Sequence, residues 1–343
     1  MDRIQPGGRV VSAFHGMARL IAALAAFGIL ADSGQAQNPK VTFQGTEGCV
    51  QIQIGGAPFA TYVYRDAKIP RPYFCNVMAP NGVQVTRPNP PDPLLNKGND
   101  DHPEFHPGIW LAFGDIGGMD VWRNKGRVRH VRFVDAPHGE NGTGAFTVEN
   151  VYESGGRPPQ TVCREVCTYT IHATDRGYFL VSESDFIAEN HDLTFGDQEE
   201  MGLGVRMATS LTAKLGSGTI VNSEGGVDES GTWGKQAAWC SYYGTAEGQR
   251  VGITIMPDPA NFRASWFHSR DYGLLVANPF AKKAMTAPDD DTVLADSTRV
   301  PQGQHFRLAF GILVFSRPED SPFNGAADYT AFMELPRATR GKE

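Results

Sequence analysis

Apolar and polar side chains alternate along much of this chain. Val50, Ile52 and Ile54 are separated by Gln51 and Gln53, and Phe306, Leu308, Phe310, Ile312 and Val314 repeat the pattern near the C-terminus. A period of two turns one side of an extended segment toward a core and the other toward water. The segments 128–134, 145–152, 162–172, 178–186, 205–211 and 251–255 carry the same signal and predict strands. Helical spacing is convincing only over 326–333, enough for two turns. With 39 glycines and 23 prolines punctuating the chain, little room remains for long helices. The pattern predicts an all-β protein, and at this length a large two-sheet antiparallel β-sandwich.

Residues 1–36 fall outside that pattern. Arg3, Arg9 and Arg19 flank an uncharged apolar run over 20–31, and Gly34-Gln35-Ala36 supplies small residues at a cleavage position. This is the layout of a signal peptide cut after Ala36. The run is shorter than the ~20 residues a membrane-spanning helix needs. Residues 37–343 then form a single β-sandwich domain, periplasmic or secreted, with no integral membrane association. A formal net charge of −7 argues against nucleic acid, which favours a basic footprint. Five scattered cysteines (Cys49, Cys75, Cys163, Cys167, Cys240) do not form a disulfide scaffold. Cys163 and Cys167 lie on a predicted strand, four residues and ~13 Å apart, too far to bridge. Mostly buried thiols are expected, with room for one bridge.

Three clusters concentrate polar chemistry. Asp101-His102-Pro103-Glu104-Phe105-His106-Pro107-Gly108 closes a proline-rich loop over 80–101 and leads into the apolar segment Ile109-Trp110-Leu111-Ala112-Phe113. Histidine suits acid–base work near neutral pH, and His102 with His106 could also hold zinc or iron if Glu199, Glu200 or His268 completed the set. In the second cluster, Glu200, Gly202, Gly204 and Arg206 share one strand parity, placing a carboxylate and a guanidinium on one side with bare backbone between. That suits a flat polar ligand resting on the sheet. In the third, Trp266, His268, Arg270 and Tyr272 share one face of an extended segment, followed by Asn278. Aromatic rings beside a base and a cation fit carbohydrate recognition, and Trp122 would add a wall. A second loop, 281–298, carries the acidic run Asp289-Asp290-Asp291, expected to be a solvated tip.

Arg71-Pro72-Tyr73-Phe74, Asp101-His102-Pro103 with His106, Gly114-Asp115-Ile116-Gly117-Gly118-Met119-Asp120-Val121-Trp122, Glu200 to Arg206, and Arg270-Asp271-Tyr272-Gly273-Leu274 with Ala277-Asn278-Pro279-Phe280 resemble the PmoA-like family of exported bacterial proteins, whose database name is "methane oxygenase PmoA". The chain departs from that family's pattern at Glu104, Phe105 and Pro107. The resemblance implies a β-sandwich similar to the galactose-mutarotase-like supersandwich, whose members bind sugars across a concave sheet.

The functional expectation is an exported carbohydrate-active enzyme of lyase, epimerase or hydrolase type. Glu200 or His102 would act as base and His106 or His268 as acid. Trp122, Arg206, Trp266, Arg270, Tyr272 and Asn278 would bind a small-molecule or oligosaccharide ligand. That reading requires no cofactor. The alternatives are a non-catalytic carbohydrate-binding protein and a metal-dependent oxygenase using a divalent metal. The oligomeric state is not legible in the sequence.

Overall fold

A computed structural model describes residues 38–337. The segment expected to be a signal peptide lies outside the described residues. The described chain is all-β, with two large antiparallel sheets and one two-stranded ribbon, Leu193–Phe195 with Thr298–Val300. The nine-stranded sheet runs, edge to edge, Val41–Thr46, Cys49–Ile54, Ala57–Val63, Tyr73–Cys75, Ile109–Phe113, Met201–Arg206, Leu274–Asn278, Trp266–Ser269 and Lys235–Gln236. The eight-stranded sheet runs Thr219–Asn222, Cys240–Ala246, Gln249–Pro257, His305–Pro318, Gly177–Ile187, Thr161–Thr174, Thr143–Glu153 and Arg127–Glu140. Among the described residues no helix is long and apolar enough to cross a membrane.

Alternation decides which face of each strand is inside. Val50, Ile52 and Ile54 are buried, while Gln51 is exposed. Leu308, Phe310, Ile312 and Val314 enter the same core. Between the sheets, the Phe113 ring meets Tyr152 and Phe186 at 6.2 and 5.5 Å, one of several aromatic contacts that lock sheet to sheet. Each such ring contributes about 2–3 kcal/mol by leaving water. The five cysteines are free thiols, four of them buried.

Three expectations need correction. The strand expected over 205–211 is Met201–Arg206, and Thr209–Leu211 is a 3₁₀ turn. Gly202 and Gly204 have no side chains to show alternation, so the strand's start is invisible in the pattern. The 128–134 strand runs on to Glu140, with register shifts between His130 and Arg132 and twice more before His138. Such bulges bend an edge strand and increase its twist. The extended segment expected to carry Trp266 through Tyr272 ends at Ser269, and a tight turn brings the chain back, Gly273 N–H donating to Arg270 C=O. The 326–333 helix is present as Gly325–Glu334, its Asn324 side chain capping Ala327 N–H.

Gly108 seats the loop that carries His102 and His106. Its φ is 139°, and a Cβ there would lie 2.2 Å from the Phe74 carbonyl oxygen. Gly108→Ala is therefore expected to destabilise the fold by about 3 kcal/mol, read as a lower urea midpoint at unchanged slope. An unchanged midpoint would show that the loop is not held where described.

Candidate functional site

Strand register sets the site's floor. Trp110 opposes Gly204, Gly204 opposes Val276, and Val276 opposes His268. Directly opposed residues share a face, so this row crosses the side of the nine-stranded sheet that turns away from the core. Ala112 and Gly202 make the adjacent row, and Arg206 continues the same parity. A Cβ on Gly204 would fall 2.6 Å from the Trp110 ring. The bare backbone expected to receive a flat ligand is thus covered by Trp110. Trp110 stacks on His106 at 5.3 Å and meets Trp122 edge-on at 5.3 Å.

Three buried arginines fix the loop above that floor. Arg87 donates to the carbonyls of Asn99 (2.5 Å), Asp101 (2.7 Å) and His106 (3.3 Å). Arg71 donates to the carbonyls of Phe105 (2.6 Å) and Val121 (3.3 Å) and to the Asn124 side chain. Arg206, with no exposed surface, donates to Asp101 Oδ1 (2.5 Å), to Asn99 Oδ1 and to His106 Nδ1 (3.1 Å). The loop turns at His102, whose φ is 48° and whose carbonyl accepts from Phe105 N–H and His106 N–H. The result separates two histidines that sequence alone could not distinguish. The His102 side chain is 57% exposed, while His106 is buried.

A guanidinium can only donate, so His106 Nδ1 must accept, and its proton sits on Nε2. Burial, then Arg206 and Arg87, hold this imidazole well below the usual histidine range, and it stays neutral. His268 repeats the arrangement. Its Nε2 accepts from Arg270 Nε at 2.9 Å and lies 3.2 Å from Glu199 Oε1. The arginine hydrogen bond leaves the ring proton on Nδ1, and burial, opposed by Glu199, pulls its pKa down to about 4. His106 Nε2, His268 Nδ1, Trp110 Nε1 and Trp122 Nε1 are buried without hydrogen-bond partners. Buried polar atoms are rarely left so, and each calls for an explanation.

Around this neutral floor runs a charged rim. Arg270 binds Glu199 (2.7 Å) and Glu229 (3.1 Å), and Trp233 Nε1 donates to Glu199 at 3.2 Å. Arg123 pairs with Glu200, whose side chain is 24% exposed. Burial pushes the Glu200 carboxyl up; Arg123 opposes this, Glu199 reinforces it, and His102 also acts on it. Tyr272 ties the rim together. Arg206 lies 4.6 Å over its ring, and its hydroxyl, raised by burial, feels Arg206, Arg270, Asp101 and Glu200. The three sequence clusters therefore meet on one side of the sheet.

Several residues take other positions than expected. Arg206 spends both terminal nitrogens on the loop, so it holds the site instead of facing a ligand. Asn278 is fully buried and donates to the carbonyls of Gln198 (2.8 Å) and Glu199 (3.1 Å), fixing the Glu199 backbone. Trp266 packs under Ala281 and Met285, and Trp122 has no exposed surface, so neither is an open platform. Arg87, Trp233 and Glu229 were not singled out, and Arg71, Trp110 and Arg123 were named only within longer segments. Most of them act through carbonyls or distant partners that leave no local signal, and only Arg123, in the segment 122–125, belonged to an expected wall. Among the described residues no group of three His, Cys, Asp or Glu is arranged to hold a metal ion.

Residues 49–324 match a family described as "Family of unknown function (DUF6807)". The match covers most of the chain, and the protein belongs to that family. This overturns the resemblance to the PmoA-like family, which rested on short separated motifs, and with it the oxygenase name. No curated protein matches the chain. Among solved structures it is similar to a heparan sulfate lyase HepC mutant from Pedobacter heparinus, at 10% identity and a TM-score of 0.37, over 82% of this chain and 37% of that one. The chain thus spans little more than a third of that protein's length.

Two neutral buried histidines give a stability signature. His268 titrates lower in the fold than at the ~6.5 of an unfolded histidine, so the unfolded chain takes up the proton first. Its contribution is complete above pH ~6.5 and is lost as pH falls toward 4. Glu200, raised in the fold, works in the opposite direction. His268→Gln is expected to remove about 2–3 kcal/mol of the stability difference between pH 7 and pH 4.5, measured by urea unfolding. An identical pH slope in wild type and variant would contradict the assignment.

Proposed function

We propose that this member of a family of unknown function is an exported carbohydrate-active enzyme that moves a proton at a carbon of a sugar or sugar derivative. The observation that carries the reading is a half-buried Glu200 carboxyl, paired with Arg123 and within electrostatic reach of the exposed His102 and of Tyr272, on the side of the sheet that carries buried, neutral N–H donors. A carboxyl pushed up by burial has the proton affinity a general base needs. Glu200 takes the proton from a carbon next to a carbonyl or carboxylate. The electron pair moves onto that oxygen, and Arg270 and Arg123 stabilise the negative charge that develops. His102 or Tyr272 returns a proton to the opposite face, or to a departing oxygen, giving epimerase or lyase chemistry. Arg206 and Asn278 serve this site by positioning Asp101, His106 and Glu199. The N-terminal charge and hydropathy pattern supports export.

A metal-dependent reading fits the side chains poorly. His106 Nδ1 and His268 Nε2 each receive an arginine N–H, and a guanidinium beside a ring nitrogen repels a cation there.

The test is hydrogen exchange at carbon. Aldoses, ketoses and uronates incubated with the protein in D₂O are followed by proton NMR. The expected result is loss of one carbon-bound proton signal, slowed about 10²–10⁴-fold in Glu200→Gln and comparably in His102→Ala. Undiminished exchange in folded His102→Ala and Glu200→Gln would remove the proposal. Saturable binding with no exchange would favour a non-catalytic sugar-binding protein.

A further inference from the structure

The opposite side of the sandwich carries a second polar surface. On the outer face of the eight-stranded sheet, Val181, Leu313 and Phe315 lie beneath Phe332 of the Gly325–Glu334 helix. Farther along the same strands and on the same face, the side chains change to Glu183, Asp185, Arg307 and Ala309. The register continues that face as Thr147 opposite Thr168, Thr168 opposite Glu183, and Asp185 opposite Arg307. The helix does not cover this half, which forms a groove of about 930 Å³. One wall comes from Asp135, His138 and Glu140 on the bulged edge strand, and the other from Pro336 and Arg337 beyond the helix.

A solvated sheet face would be open and its polar atoms free to meet water. Here His172 is only 7% exposed, and its Nε2 lacks a partner, as does Asp185 Oδ1. Thr143 gives its hydroxyl hydrogen to the Ile171 carbonyl (3.1 Å), so it accepts from His172 Nδ1–H at 3.3 Å. His172 Nε2 is then a bare acceptor. Asp185 uses its other oxygen on His305 at 2.7 Å. The Thr147 and Thr168 hydroxyls meet at 2.9 Å and retain lone pairs. The groove therefore presents acceptors set in a floor of Ala145, Val166 and Ala309. Asp135 and Glu140 on one wall disfavour an anion, and Arg307 on the floor disfavours a cation.

We propose that this groove binds a neutral, hydroxyl-rich chain, a glycan, at a site separate from the candidate active site on the other sheet. Ligand O–H groups donate to His172 Nε2, Asp185 and the threonine pair, while sugar C–H faces lie on the aliphatic floor. The site shares no residue with the acid–base rim, so its test is independent of the proposed reaction.

The probes are neutral gluco-, xylo- and mannohexaose, with a hexauronate as the anionic comparator, titrated calorimetrically into wild type, Asp185→Asn, Thr168→Val and Glu200→Gln. At least one neutral hexasaccharide is expected to bind, at least tenfold more weakly to Asp185→Asn and to Thr168→Val, and within twofold of wild type to Glu200→Gln. Thermal melts confirm that the variants are folded, and Thr168→Val, nearly isosteric, covers any loss of fold in Asp185→Asn. The proposal is overturned if no neutral hexasaccharide binds, if both groove variants bind normally, if Glu200→Gln abolishes binding, or if the hexauronate binds best.

Discussion

Arg206 carries a full positive charge with no exposed surface, and the geometry of the polar face follows from satisfying it. An unpaired buried charge costs several kcal/mol, so the loop over 99–106 folds back to supply Asp101, Asn99 and His106 as acceptors. Arg87 and Arg71 close the arrangement by taking the loop's carbonyls. The cost of burying three guanidinium groups is offset only if these partners are all in place, which gives the loop one conformation. A guanidinium beside His106 also decides that ring's chemistry, because the neighbouring charge and the absence of water both oppose protonation. His268 under Arg270 obeys the same rule, on another strand.

This logic divides the site into a fixed floor and a working rim. The floor holds neutral rings, each with one buried N–H lacking a partner, and buried arginines fix the loop above it. The rim keeps Glu200, His102, Tyr272, Arg123 and Arg270 partly in water, where a ligand can reach them. Glu200 belongs to both, close enough to the floor for burial to raise it and exposed enough to exchange a proton.

The sequence disclosed what depends on neighbours along the chain. Half-buried strands such as Cys49–Ile54 and Thr143–Glu153 announce themselves because alternate side chains are buried and the others are not. Strands buried on both faces, such as Tyr73–Cys75 and Leu274–Asn278, show no alternation and were missed. Parity grouped Gly202, Gly204 and Arg206, which the register places along one face, yet it could not say that Trp110, from a strand far away in sequence, would lie on Gly204. Tyr272 was singled out for a reason that fails, since the strand stops at Ser269, although the turn still delivers it to the rim. The roles of Arg71 and Arg87 were invisible because their partners are backbone carbonyls, which every residue has. The assignment of one histidine to water and the other to the interior rests on a backbone turn at His102 that no local pattern predicts.

Nitrogen-15 NMR of the histidine rings addresses the central claim most directly. Arginine-locked neutral imidazoles predict that, at pH 6, His106 carries its proton on Nε2 with a bare Nδ1, and His268 carries its proton on Nδ1 with a bare Nε2. A doubly protonated ring at either position, or the opposite tautomer, would contradict the account.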